Sequence, residues 1–278
     1  MPRFALAFLL AAGCLLAAAG KQIKISQPVF RQFDGGPPLP ANQPFYPGET
    51  AFVTFLMPGF STTEKGALSL TWHLEVRDPA GLLLAEPEHG TVIETVVAED
   101  KEWSPKPQVT FLIPAEAGSG TYKVIISAKD TMNRTTATQE GTFLVEGKAV
   151  EPSPTLTIRN FRFLRGEDEA KPLPVAAYRA NDAVWARFEI VGYKLGEKNR
   201  VQVEYGLSVL RPSGTSMYSE PKAAAADEAT FYPKRFVGGV LSLKLDSTIK
   251  PGEYTIVLEV RDVLGGQKEE SRHTFRVE

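Results

Sequence analysis

The chain of 278 residues has a single cysteine, Cys14, and three histidines, His73, His89 and His273. Beyond residue 14 it therefore has no disulfide, no thiolate ligand for a metal and no cysteine nucleophile, and its stability must come from core burial alone. None of the histidines falls in a His-x-His or His-x-x-x-His spacing, which argues against a zinc site. The acidic clusters Glu167-Asp168-Glu169, Asn181-Asp182 and Asp227-Glu228 lack the alternating oxygen ligands around a central glycine that a calcium loop requires. Gly238-Gly239 and Gly265-Gly266 are followed by neither a lysine nor a helix, so they read as turns or bulges rather than phosphate cradles. Neither sign of charge dominates: residues 21–150 carry 11 basic and 15 acidic side chains, and residues 151–278 carry 19 and 18. That balance excludes the basic footprint of a nucleic-acid binder. No cofactor and no metal are expected, and no nucleic-acid partner.

Long apolar runs are also missing, except at the start. The first twenty residues hold one cation (Arg3), an apolar run from Phe4 to Leu16 and the small-residue stretch Ala17-Ala18-Ala19. That order is the pattern of a secretory signal peptide, so residues 1–20 are expected to be removed and the protein to be exported, periplasmic or extracellular. Ala11-Ala12-Gly13-Cys14 resembles a bacterial lipobox, which would make Cys14 a lipid anchor. The apolar residues Leu15 to Ala19 after it speak for removal instead. No later segment has the roughly 18 consecutive apolar residues of a membrane-spanning helix.

What the sequence does contain is itself, twice, at an offset of 132 to 134 residues. Ile23-x-Ile25 answers to Leu156-x-Ile158, Pro38-Leu39-Pro40 to Pro172-Leu173-Pro174, and Phe52-x-x-Phe55 to Trp185-x-x-Phe188. Leu70-x-Trp72-x-Leu74-x-Val76 matches Val203-x-Tyr205-x-Leu207-x-Val209. The turn Asp78-Pro79-Ala80-Gly81 pairs with Arg211-Pro212-Ser213-Gly214. Gly120-Thr121-Tyr122, running on to Asp130, corresponds to Gly252-Glu253-Tyr254, running on to Asp262. Phe143-x-Val145-Glu146 and Phe275-x-Val277-Glu278 close the two copies. Matched apolar positions alternate with polar ones, the period of a strand with one buried face. The alanine-rich patch Pro221 to Ala229 is the one stretch friendly to a helix and reads as a loop or single turn.

Short alternating strands with turns between them, about seven per 125 residues, point to two antiparallel sheets packed face to face. The stretches that begin at Gly120-Thr121-Tyr122 and Gly252-Glu253-Tyr254 resemble the penultimate strand of bacterial immunoglobulin-like and fibronectin type III-like domains. The resemblance implies a corner role for Tyr122 and Tyr254, each hydroxyl bonded to nearby backbone. The expected fold is all-β: two tandem immunoglobulin-like antiparallel β-sandwiches arising from internal duplication. The first domain spans 21–148, a proline-containing linker 149–154 and the second domain 155–278. Trp72 and Tyr205 should be equivalent inward-facing anchors of the two cores.

A sandwich without catalytic parts acts through loops or a sheet edge. The region of greatest divergence between the copies is in the second domain, where Tyr218, Phe231, Tyr232 and Phe236 lie near Lys234 and Arg235. Aromatics beside cations suit a protein hot spot or sugar stacking, and these six are the candidate binding residues. His73 is placed on the polar face of a strand, His89 in a turn, and His273 in phase with Phe275 and Val277 on the last strand. The expected function is a non-catalytic binding or structural module of the cell envelope, with another envelope protein or a polysaccharide as partner. A carbohydrate-binding accessory protein is the alternative, and a hydrolase with an interdomain site a third reading.

Overall fold

The computed structural model describes residues 21–97, 99–100, 102–148 and 150–278. The expected signal peptide with Cys14, and Ala149 at the head of the expected linker, lie outside the described residues.

The described residues are all-β, apart from a single 3-10 turn at Glu197–Asn199. In the N-terminal half, β1 (Val29–Arg31), β2 (Thr50–Thr54) and β5 (Gln108–Leu112) form one sheet in the order β1-β2-β5. Strands β3 (Ala67–Arg77), β4 (Glu88–Thr95), β6 (Gly120–Asp130) and β7 (Thr136–Val145) form the facing sheet, β4-β3-β6-β7. The alternation read from the sequence explains the layering. In β3, Leu68, Leu70, Leu74 and Val76 are buried, whereas Ser69, Thr71, His73 and Glu75 between them are less covered.

The C-terminal half repeats the plan with β8 (Thr157–Leu164), β10 (Ala183–Val191) and β13 (Val237–Lys244) in one sheet. The other sheet contains β11 (Val201–Leu210), β12 (Ser216–Glu228), β14 (Gly252–Asp262) and β15 (Gln267–Val277), with β9 (Ala177–Tyr178) added at its edge. Even the minor features recur. Tyr178 pairs in parallel with Val277, and Phe45 makes an isolated parallel bridge to Val145. The Pro79 ring lies over Gly120 and the Pro212 ring over Gly252, where an added Cβ would come within 2.6 and 2.8 Å of proline Cγ. Two copies that share strand order, pairing and turn packing are the product of duplication.

Buried acids end the penultimate strand in each copy. Asp130 accepts the N–H groups of Ser61 and Met132, and Asp262 those of Lys194 and Gly265, tying two loops to one strand end. The tyrosine hydroxyls behave as a pair as well: Tyr122 donates to Gly118 O and Tyr254 to Lys250 O, both at 2.9 Å.

Two readings need correction. The stretch from Pro221 to Ala229 is not a helical turn. Most of it belongs to β12, with Ala224 and Ala226 opposite Tyr205 and Val203. The ladder breaks at Gly206, where a Cβ would sit 2.3 Å from Pro221 O, so the proline occupies a bulge that needs no N–H from it. His89 lies within β4, directly opposite His73 on β3, rather than in a turn. Trp72 faces inward but is only partly buried, with its indole over Gly90, where a Cβ would come within 2.5 Å. A ring of that size fits at this sheet margin because the opposing residue has no side chain.

Among the described residues two apolar clusters form, one in each half, with one exception: Tyr232, from the C-terminal half, belongs to the first cluster. Among the described residues no helix is long and apolar enough to cross a membrane.

Candidate functional site

The candidate site is the place where that tyrosine crosses over. On the N-terminal side it uses the β3–β4 turn at Asp78, the β5–β6 loop through Glu116 and Gly118, and Lys148 just after β7. On the C-terminal side it uses the β12–β13 loop, 229–236, and Glu189 of β10.

The turn that begins at Asp78 is built by the carboxylate itself. Its Oδ1 accepts the N–H of Ala80 at 2.9 Å and of Leu82 at 2.8 Å. Its Oδ2 accepts the Tyr232 hydroxyl at 2.8 Å and Arg235 Nη2 at 2.9 Å, and the same Nη2 donates to the Tyr232 oxygen at 2.9 Å. The Asp78 side chain is fully buried and that of Arg235 is 37% exposed. A buried carboxylate with four donors meets the condition under which a buried charge is tolerated. Burial pushes the Tyr232 phenol up, and its bond to Asp78 pushes it further. Burial also raises Tyr122, and the Asp78 charge adds to it.

The C-terminal loop is set by its own sandwich. Asn199 Nδ2 donates to Phe231 O at 2.6 Å, the Thr230 hydroxyl to Tyr232 O at 2.7 Å and the Tyr193 hydroxyl to Lys234 O at 2.9 Å. Around the central triad, Lys234 lies 2.7 Å from Glu228 and 3.6 Å from Glu116 of the other half. Burial alone would depress the Lys234 ammonium, but the bond to Glu228 and the charges of Glu228 and Glu116 leave it raised. Lys148 pairs with Glu189, which also accepts Asn160 Nδ2 at 2.8 Å, and the Lys148 ammonium stands 5.0 Å from the Phe236 ring centre. Burial would raise Glu189, and the donors Lys148 and Asn160 outweigh it and bring it down.

Of the six candidate binding residues, then, four face the chain's own first half. Tyr232 is buried there, and Lys234, Arg235 and Phe236 each contact one of its residues. These four take contacts from the chain's own first half, where Asp78 supplies the acceptor that the phenol and guanidinium require. Phe231 is exposed and, with Glu86 and Asn199, lines a hollow of about 490 Å³ beside the junction. Tyr218 is exposed on β12, away from the triad. Sequence reasoning missed Asp78, Glu116, Lys148 and Glu189. A signal for Asp78 was present: its counterpart is Arg211, a reversal of charge inside an otherwise matched turn.

The histidines are separate from this site. His73 Nε2 lies 3.2 Å from Glu75, which also binds Arg77 at 2.6 Å, and these donors hold the Glu75 carboxyl down, His73 first. His273 stacks flat on Phe161, ring centres 3.4 Å apart. Among the described residues no group of three or more His, Cys, Asp or Glu side chains is arranged to hold a metal ion.

No protein-family model matches the chain, and no curated protein matches it. Among solved structures, a family 123 glycoside hydrolase from Clostridium perfringens is 14% identical over 45% of this chain, with a TM-score of 0.30. The chain spans 27% of that protein's length. The C-terminal domain of the antigen I/II-family protein AspA of Streptococcus pyogenes is 11% identical, covering 90% of this chain and 98% of its own, with a TM-score of 0.30. The C-terminal domain of the AgI/II polypeptide BspA of Streptococcus agalactiae is 11% identical, covering 92% and 99%, with a TM-score of 0.29.

Proposed function

We propose that this chain is an exported, non-catalytic structural and binding module of the cell envelope, in which two sandwich domains, 21–148 and 155–278, act as one rigid arm. The observation that carries the reading is the Asp78–Tyr232–Arg235 triad. A spacer must keep its ends at a fixed separation, and a buried, fully bonded network favours one relative placement of two domains over others. The linker 149–154 then limits reach, while the triad and the Lys148–Glu189 pair set the angle. Loops and edges away from the joint are left for a macromolecular partner.

Backbone nitrogen relaxation on the chain from Lys21 to Glu278 tests this. One rotational correlation time shared by both halves is expected, and it should split into two when Tyr232→Phe and Arg235→Ala are combined. Independent tumbling of the two halves in the unaltered chain would defeat the rigid-arm reading. Capture of an envelope protein by the tagged chain, lost when the joint is opened, would connect rigidity to binding.

A further inference from the structure

Duplication makes the two ends of each sandwich comparable, so the internal joint shows what each kind of end is built to meet. The joint uses the turn end of the first sandwich, with Asp78 and Glu116, and the loop end of the second, with Tyr232, Lys234 and Arg235. That leaves two ends open: the loop end of the first sandwich and the turn end of the second.

The open loop end has a recess of about 580 Å³ lined by Phe60, Thr62, Gly66, Val97, Asp100 and Trp103, among others. Phe60 and Trp103 meet edge to face at 6.1 Å and 80°, and Trp103 is 41% exposed. The paired registers Val53↔Val109 and Ala186↔Leu241 align the loops. On that alignment Trp103 takes the place of Arg235, Glu102 that of Lys234 and Asp100 that of Tyr232. The open turn end has a hollow of about 510 Å³ lined by Arg211, Pro212, Met217, Ile249, Lys250 and Tyr254, among others. There Arg211 takes the place of Asp78, and Lys250 that of Gly118.

Both signs are therefore reversed. In the internal joint an acidic turn end meets a basic loop end; at the open ends a basic turn end, Arg211 and Lys250, faces outward, and so does an acidic loop end, Asp100 and Glu102. Lys21, Glu64 and Lys65 line the recess beside Asp100, so its lining charges balance, and Asp246 lines the basic hollow; the contrast lies at the positions that replace the joint residues. Among the described residues none of Asp100, Glu102, Arg211 and Lys250 is in an ion pair. Reversal on both sides preserves complementarity between the open ends and sets like against like in the wrong pairings, such as Asp78 against Asp100.

We propose that the Trp103 end of one copy receives the Arg211 end of a second copy, head to tail, so that the internal joint is repeated between molecules. The interface joins two different surfaces, so it yields a ring where the rotation between copies closes and an extended chain of copies where it does not. The inference rests on the rigid-arm reading, because only a fixed joint holds the two open ends in a constant relation.

Sedimentation of the 21–278 chain tests it. The average mass should rise with concentration and fall back as salt is added. Arg211→Glu alone, and Asp100→Arg with Glu102→Arg alone, should each weaken association about tenfold or more, with melting unchanged. Mixing the two variants in equal amounts should restore it, because each acidic end again finds a basic one. A chain that stays monomeric up to about 1 mM, the limit of weak specific affinity, overturns the proposal. So does association indifferent to both variants, or not restored by mixing. A monomer whose halves tumble together would overturn only this inference, whereas independent tumbling would count against the joint itself.

Discussion

The hydroxyl of Tyr232 donates to the carboxylate of Asp78 at 2.8 Å across 154 residues of sequence, and both groups are buried. Neither residue would be placed this way for its own sandwich. In the second copy the position of Asp78 is held by Arg211, which binds Ser216 O locally. In the first copy the position of Tyr232 is held by the exposed Asp100. The pair exists only because the duplicated halves diverged where they touch.

Removing one member of this triad should cost more than a surface bond would. Tyr232→Phe keeps the ring in the first core and deletes one of four donors to Asp78, and is expected to lower stability by about 1–3 kcal/mol. Combined with Arg235→Ala, the loss should differ from the sum of the single losses by about 0.5 kcal/mol or more, since both donors serve Oδ2 of the same carboxylate. A denaturant double-mutant cycle on the full chain measures it. Strict additivity would mean that the two donors are not coupled through Asp78.

Much of this architecture was legible in the sequence because duplication prints each strand twice: an alternation such as Leu70, Trp72, Leu74, Val76 gains weight when Val203, Tyr205, Leu207, Val209 repeats it. The joint was half legible. Tyr232 and Arg235 stood out as divergent, but periodicity carries no information on what lies opposite a loop, so they read as an outward surface. Asp78 was hidden by its turn-forming role, which its Oδ1 does perform, while Oδ2 performs the other. The strand at Ala224 and Ala226 was missed because helix propensity is a weak prior that ladder pairing overrides.

The buried phenols predict an alkaline limit. Burial holds Tyr178 well above the ordinary value of 10.0, to about 12, and pushes Tyr193 and Tyr232 up as well. The unfolded chain ionises these phenols at a lower pH than the fold does, so the stability they contribute is complete below pH 10 and is lost as pH rises toward about 12. The denaturation midpoint should fall across that window, and the fall should be shallower in Tyr178→Phe. Equal slopes would sink the assignment.

On the acid side the two copies should differ. His273 lies flat on Phe161, with Nε2 2.9 Å from Ser271 Oγ, and burial lowers it from 6.5. In the first copy the matching contact is Pro28 on Gly141, where a Cβ would lie 2.1 Å from the proline Cγ and nothing titrates. A depressed histidine leaves stability intact above pH 6.5 and lets it fall as pH drops, because the unfolded chain takes the proton first. Loss of protection from hydrogen exchange between pH 7 and about 5 should therefore be larger in β14 and β15 than in β6 and β7. His273→Phe, which keeps a ring on Phe161, should remove the difference; persistence of the difference would place its origin elsewhere.

The two equivalent anchors should not be equally costly to lose. Trp72 meets Phe55 edge to face at 5.8 Å and 80°, and Tyr205 meets Phe188 in the same way at 5.0 Å and 84°, so each pair joins the two sheets of its sandwich at the same point. Burial differs. The larger ring of Trp72 is partly uncovered over Gly90, whereas Tyr205 is 9% exposed and its hydroxyl both donates to Val240 O at 2.9 Å and accepts Val240 N–H at 3.3 Å. Tyr205→Ala therefore leaves a cavity and two unpaired backbone groups and is expected to cost about 3–5 kcal/mol. Trp72→Ala opens a space that water reaches from the sheet margin and should cost less, about 2–3 kcal/mol. Tyr205→Phe separates the contributions, since it keeps the ring and loses only the bonds to Val240, at about 1 kcal/mol. The ranking is read from urea midpoints at constant slope. A greater loss at Trp72 than at Tyr205 would show that ring size, rather than burial and the backbone bonds, sets the strength of this inter-sheet contact.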